Sequence, residues 1–216
     1  LGNFLISFIV LSEIKNMNIS DLIAQNLPNE LLAQIAGQAG IQDPDQGVHA
    51  SKSAIQTILQ GLSNNSANET GASSLLSALD RDHDGSIFND VIGLLSGKTA
   101  SPNQNMLNGS GILGHILGGN QESVGNNLGK VLNMDLSKIM PLLTMLAPVV
   151  MGVLGKARAN NQLNTSNVQE VLSGAVNHQV EQNPAYGMFG KLLDQNGDGQ
   201  ILDDIARMGM QFFSKK

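Results

Sequence analysis

Apolar residues return at helical spacing along almost the whole chain. "ISDLIAQNL" places Ile19, Leu22, Ile23 and Leu27 on one stripe, and "VHASKSAIQTILQGL" does the same with Ala54, Ile55, Ile58, Leu59 and Leu62. "PNELLAQIAGQAG" opens on Pro28, suited to a helix N-terminus, and meets Gly37 and Gly40 as stop signals. "TGASSLLSAL" continues the helical pattern. Beyond residue 111 follow "ILGHILGG", "QESVGNNLGKVL", a long apolar run and "TSNVQEVLSGAVNHQV". No stretch of useful length alternates with the period of two that a half-buried strand requires. The pattern predicts an all-α protein, a compact multi-helix bundle.

The loop formers mark an organisation. "KTASPNQNMLNGSG" is rich in turn residues and predicts a linker over 98–111, between a first helical region over 17–97 and a second over 112–216. A faint echo joins the two. "LLAQIAGQAGI…AIQTILQGL…SSLLSAL" parallels "VGNNLGKVLNM…LAPVVMGVL…VQEVLSGAV", with Gly61 and Gly152 expected to close the middle helix of each set. That reads as a duplicated three-helix unit.

Two apolar runs need separate treatment. Ile139 to Gly155 is uncharged and flanked by Lys138 and Lys156. Its length sits at the lower edge for a transmembrane helix, but a helix buried on all sides is apolar all round as well. The core helix is the preferred reading, with Pro141 expected in its first turn and Pro148 as a kink. Phe4 to Leu11 is shorter and has no basic residue before it. Residues 1–16 are read as an extension upstream of a natural start at Met17, or as a leader that has lost its basic end. The first reading favours the cytoplasm; the second leaves a secreted or periplasmic protein open.

Composition narrows the class. Hydrophobic residues make up 41% and aromatics only 3%, so the core is built of aliphatic and Met side chains, as suits helix-on-helix packing. A formal net charge of −6 with scattered Lys and Arg excludes a nucleic-acid surface as the leading reading. The absence of Cys removes disulfides and thiolate chemistry. The nine Met residues are core filler first, and an adaptable binding groove second.

Charge concentrates in two turns. "LDRDHDGSIFNDVIGLL" and "LLDQNGDGQILDDIARM" share D-x-[DN]-x-D-G-x-I-x-x-D. Asp80, Asp82, Asp84, Gly85, Ile87 and Asp90 match Asp194, Asn196, Asp198, Gly199, Ile201 and Asp204. Alternate residues of a tight loop can converge on one cation, and calcium takes about six to eight oxygens. Without a positive charge among them, Asp80, Asp82 and Asp84 repel one another. The other physical reading is a turn set by local Asp and Asn hydrogen bonds, with acids in the first turn of the next helix.

The acidic turns, over 80–91 and 194–205, resemble the calcium loops of EF-hand and dockerin-type proteins. The resemblance implies that Ser86 and Gln200 lend backbone carbonyls and that Asp90 and Asp204 close the shells. It also has a departure. The closing Glu of an EF-hand is replaced by Val91 or Ile205, with an Asp one position earlier, which implies weaker binding. Calcium is the expected cofactor, held as a structural clip.

Other chemistry is thinner. "GSGILG" satisfies G-x-G-x-x-G from Gly109 to Gly114, but no strand precedes it. Close helix packing explains it better, as it does Gly114 with Gly118 and Gly125 with Gly129. The histidines, His49, His83, His115 and His178, lie in no metallohydrolase or triad context. His115 is expected to be packed or interfacial, and a deep pocket joining it to an acid would point to catalysis instead.

Taken with "LLAQIAGQAGI", "GILGHILGG", "LLTMLAPVVMGVLGK" and the acidic ending, the chain resembles the bacterial family catalogued as domain of unknown function 937. The resemblance implies a helical bacterial protein and supplies no catalytic residues. The expected role is non-enzymatic binding or scaffolding, with a protein partner or self-association and no membrane span. The alternative is a calcium-regulated switch that exposes the Met-rich apolar helix to a partner or membrane.

Overall fold

The computed structural model describes residues 19–82 and 108–182 of the chain. Every regular element among them is helical: α1 (Ile19–Asn26), α2 (Asn29–Gln38), α3 (Pro44–Asn65), α4 (Glu69–Asp82), α5 (Gly109–Leu117), α6 (Gln121–Leu132), α7 (Leu136–Ala159) and α8 (Val168–Gln182). A single 3₁₀ turn, Gly118–Asn120, joins α5 to α6. The all-α bundle expected from the periodicity is what forms.

The helix ends follow local chemistry. Asp43 caps α3, its Oδ1 accepting from the Gln46 N–H at 2.8 Å, with Pro44 as the first helical residue. Three helices stop the same way. Gly40 (φ 88), Asn133 (φ 52) and Asn161 (φ 57) take the left-handed conformation after α2, α6 and α7. In each case the next amide reaches back five residues: Ile41 to Ala36 at 2.9 Å, Met134 to Gly129 at 2.8 Å, and Gln162 to Ala157 at 2.9 Å. These are Schellman terminations, which satisfy carbonyls the helix would otherwise leave bare. Gly40 is therefore the stop signal, while Gly37 lies inside α2.

The long apolar helix is the hub. α7 packs against α1, α2, α3, α4, α5 and α6, and its Leu142, Leu143, Leu146, Ala147, Val150 and Leu154 are fully buried. By length and hydropathy α7 could cross a membrane, yet most of its apolar window is buried inside the protein, as in the core helix of a soluble fold. One continuous core draws on residues of both helical regions, from Ile19 to Val176.

The internal echo has a structural counterpart with a twist in connectivity. α3 and α7, the long helices of the two sets, pack on each other, and each also packs on the short helix before it. The following helices cross over: α4 lies chiefly on α7, and α8 lies on α3. Neither set of helices could bury its apolar faces alone. Two details of the expected repeat differ. Gly61 and Gly152 do not end their helices, which run on to Asn65 and Ala159. Gly61 is instead where α5 approaches, since a Cβ there would meet Ile116 Cγ2 at 2.6 Å.

Other glycines and prolines also serve packing. α7 begins at Leu136, so Pro141 lies past its first turn and Pro148 well within it. Pro148 has no N–H, so the Thr144 carbonyl lacks its usual partner four residues on. Gly109 sits on that carbonyl, at a point where any Cβ would overlap the oxygen. Gly109 to Gly111 form the first turn of α5 rather than the end of a linker. Gly125 similarly admits Leu136 and Met140, whereas Gly118 (φ 58) has open space around it and serves the turn, not packing.

Candidate functional site

The acidic turn begins where α4 ends. Asp80 lies in the last turn of α4, and Asp82 is its final residue. Asp84, Ser86, Asp90, Asp194, Asn196, Asp198, Gln200 and Asp204 lie outside the described residues, as does the side chain of Asp82. Asp80 is thus the single expected ligand whose surroundings can be stated. Its carboxylate is gripped in a fork by Arg158 of α7: Nε donates to Oδ1 and Nη2 to Oδ2, each at 2.9 Å. The third arm of the guanidinium, Nη1, donates to the Leu163 carbonyl at 2.9 Å. One side chain therefore ties together the ends of α4 and α7 and the turn leading to α8.

The pair is partly solvated, with Arg158 31% and Asp80 53% exposed. Hydrogen bonding to Arg158, more than the charge itself, holds the Asp80 carboxyl below its usual range, and the same bond raises Arg158. The sign follows. A lowered carboxyl pKa stabilises the fold at neutral pH and ceases to do so as pH falls through it. The positive charge that Asp80 requires is supplied here by Arg158. For a cation to take this carboxylate, it would have to share it with Arg158 or displace the arginine. Among the described residues no group of three or more His, Asp or Glu side chains is placed to hold a metal.

A second feature adjoins the first. A cleft of about 780 Å³ lies between α3, α4, α5 and α7. Its floor is apolar, from Leu62, Leu75, Ile112, Ile116 and Met151. Its rim carries Arg81, His115, Asn65 and Asn108. Asn65 fixes the geometry, its Nδ2 donating to the His115 and Ile116 carbonyls at 2.9 and 2.8 Å. Asn108 caps α5, its Oδ1 accepting from Gly111 N–H at 2.9 Å. His115 is exposed on the rim rather than packed in the core, and no carboxylate is among the described residues that line the cleft with it.

The G-x-G-x-x-G stretch is the start of α5, with Gly109 against Thr144 and Gly111 beside its cap Asn108. Packing and capping thus account for its first two glycines. Comparison with known families then decides the grouping. The family model for bacterial proteins of unknown function, DUF937, matches residues 21–157, well over half of the chain. The chain belongs to DUF937. The DUF937 match covers the first acidic turn and all but the last two residues of α7, and stops short of α8 and the second turn. No curated protein and no solved structure matches the chain.

The Asp80–Arg158 fork, the Asn65 brace and the His115 cleft were not foreseen from sequence. Asp80 and Arg158 stand 78 positions apart, and neither belongs to a local pattern that names the other. A lone arginine at the end of an apolar helix carries at most a hint, through its favourable place near a helix C-terminus.

Proposed function

We propose that this DUF937 protein is a non-enzymatic binding or scaffolding module whose two acidic turns take calcium as structural clips. The observation that carries the non-enzymatic reading is the content of the cleft. Arg81 and His115 are the ionisable side chains among the described residues that line it, and no carboxylate among those residues orients the imidazole as a catalytic base would require. The calcium reading is supported by the repeated motif and by the place of Asp80. A helix–loop–helix calcium site takes its first ligand where the incoming helix ends.

Cation binding would neutralise the acids and fix the chain leaving α4, so calcium would stabilise the fold by linkage. Calorimetric titration of chelator-treated full-length chain is expected to show two calcium sites, with Asp84→Ala and Asp198→Ala each removing one. No heat, together with no rise in Tm at millimolar calcium, refutes the clip.

The burial of α7 weighs against the switch. Met140 and Met145 are already partly exposed, and freeing the rest of the α7 apolar surface, Met151 included, would mean separating α7 from the six helices packed on it, which amounts to unfolding the core. Calcium-dependent binding of an apolar dye would favour the switch instead.

A further inference from the structure

We propose that Asn108–Gly109 is a self-modification site, at which the chain converts to an isoaspartyl linkage, and that the native packing of α5 holds the reaction in check. The chemistry needs only the dipeptide and water. The Gly109 backbone nitrogen loses its proton and bonds to Asn108 Cγ, the Cγ–Nδ2 bond breaks, and ammonia leaves. Water then opens the cyclic imide, chiefly to the isoaspartyl form, with no change of oxidation state. Glycine favours the first step because no side chain shields its nitrogen.

Asn108 is exposed, so water reaches it and ammonia can leave. Its backbone conformation opposes the ring. At ψ 70 the Gly109 nitrogen lies anti to the Asn108 Cβ across the Cα–C bond, whereas a five-membered ring needs the two nearly eclipsed. Rotating the side chain alone does not bring Cγ within bonding reach. The backbone has to turn at ψ, and ψ is held from three sides. The Asn108 carbonyl accepts from Ile112 N–H at 2.9 Å, and its Oδ1 accepts from Gly111 N–H at 2.9 Å. Gly109, next along, is buried against the Thr144 carbonyl, where a Cβ would overlap the oxygen. Ring closure therefore waits for the first turn of α5 to leave α7, and its rate reports that opening. Once formed, the isoaspartyl linkage carries one more backbone carbon directly before Gly109. α5 then cannot regain both its cap and its seat on α7.

The test incubates the full chain at mildly alkaline pH, in native buffer and in guanidinium chloride, and follows residue 108 by peptide mapping. Isoaspartate at 108 is expected to accumulate in denaturant, and at least about tenfold more slowly in the native chain. Leu113→Ala leaves the dipeptide intact and removes a buried α5 contact, so it should speed the native reaction. The isoaspartyl chain, purified and returned to native buffer, should unfold at a lower denaturant midpoint than the parent. Asn108→Asp, which keeps a capping oxygen, should not. Equal rates in native buffer and denaturant overturn the lock, and no isoaspartate at 108 in either overturns the site. An unchanged midpoint in the isoaspartyl chain overturns the consequence for α5. Both rates are read on the parent chain, so loss of fold in a variant does not decide the outcome.

Discussion

Gly109 and Gly114 stand in one glycine motif, and the structure assigns their replacement by alanine opposite signs. At Gly109 the new methyl would lie on the Thr144 carbonyl oxygen, a backbone atom of the central helix that cannot swing aside. Either α5 lifts from α7 or α7 bends, and both loosen a contact in which Leu113, Ile116 and Leu117 are buried. Overpacking of this kind costs typically about 1–3 kcal/mol, and a clash with backbone belongs at the upper end. At Gly114 the methyl meets the end of the Gln121 side chain at 3.6 Å, an ordinary contact. There the entropic gain of alanine over glycine in a helix prevails, about 0.5–1 kcal/mol. The assay is urea unfolding followed by circular dichroism, with the slope checked for constancy so that a shifted midpoint reports stability, together with a thermal scan of the same variants. Gly109→Ala should lower Tm by roughly 6–12 °C, and Gly114→Ala should raise it by a few degrees at most. A Gly109→Ala loss below about 1 kcal/mol would show that α5 does not press on α7 at Thr144.

Two further substitutions test buried and surface polarity. Gln56 of α3 is buried and donates to the Val176 carbonyl at 3.1 Å, but its Oε1 has no partner among the described residues. Gln56→Met removes the unpaired oxygen together with the bond to Val176, so the two effects are expected to offset to within about 1 kcal/mol in the same urea assay, and a larger loss would mean that the oxygen is satisfied. Arg158→Met, in chelator, should return the Asp80 carboxyl to the ordinary range by carbon-13 titration and speed amide exchange in the turn around Leu163. The stability gap to the parent chain should be open at neutral pH and close as pH falls below about 4, since the lowered Asp80 pKa stabilises only while the carboxyl is ionised. A gap unchanged at low pH would assign the effect to the Leu163 hydrogen bond instead.

How much of this was legible in the sequence depends on range. Periodicity placed the helices because amphipathic spacing is local, and the buried stripe of Ile55, Ile58, Leu59 and Leu62 lies on α3 as read. Glycine was read less well, because the residue serves three physical ends that look alike in one dimension. Gly40 ends a helix through positive φ, Gly61 and Gly109 admit a neighbouring helix, and Gly37 has nothing near it. Only the neighbour tells these apart, and the neighbour is distant in sequence. The same holds for Pro148. As a kink signal it could be read locally, but the Thr144 carbonyl it leaves open gains meaning only when Gly109 arrives against it.

The crossed connectivity bears on the acidic turns. Because α4 packs on α7 rather than chiefly on α3, the end of α4 is anchored across the repeat boundary, and Arg158 is the residue that fastens it. A clip at 80–91 would therefore act on the junction between the two halves, not within one of them. The second turn lies outside the described residues, and the repeated motif alone speaks for it. The two turns share their motif positions but differ at seven of the twelve places over 80–91 and 194–205. Under the proposed clip, calcium at the first turn would compete with an arginine for Asp80, so Arg158→Met should tighten the first site and leave the second unchanged in the same calorimetric titration. Equal affinities before and after the substitution would show that Asp80 is not a ligand, and that its carboxylate serves the arginine alone.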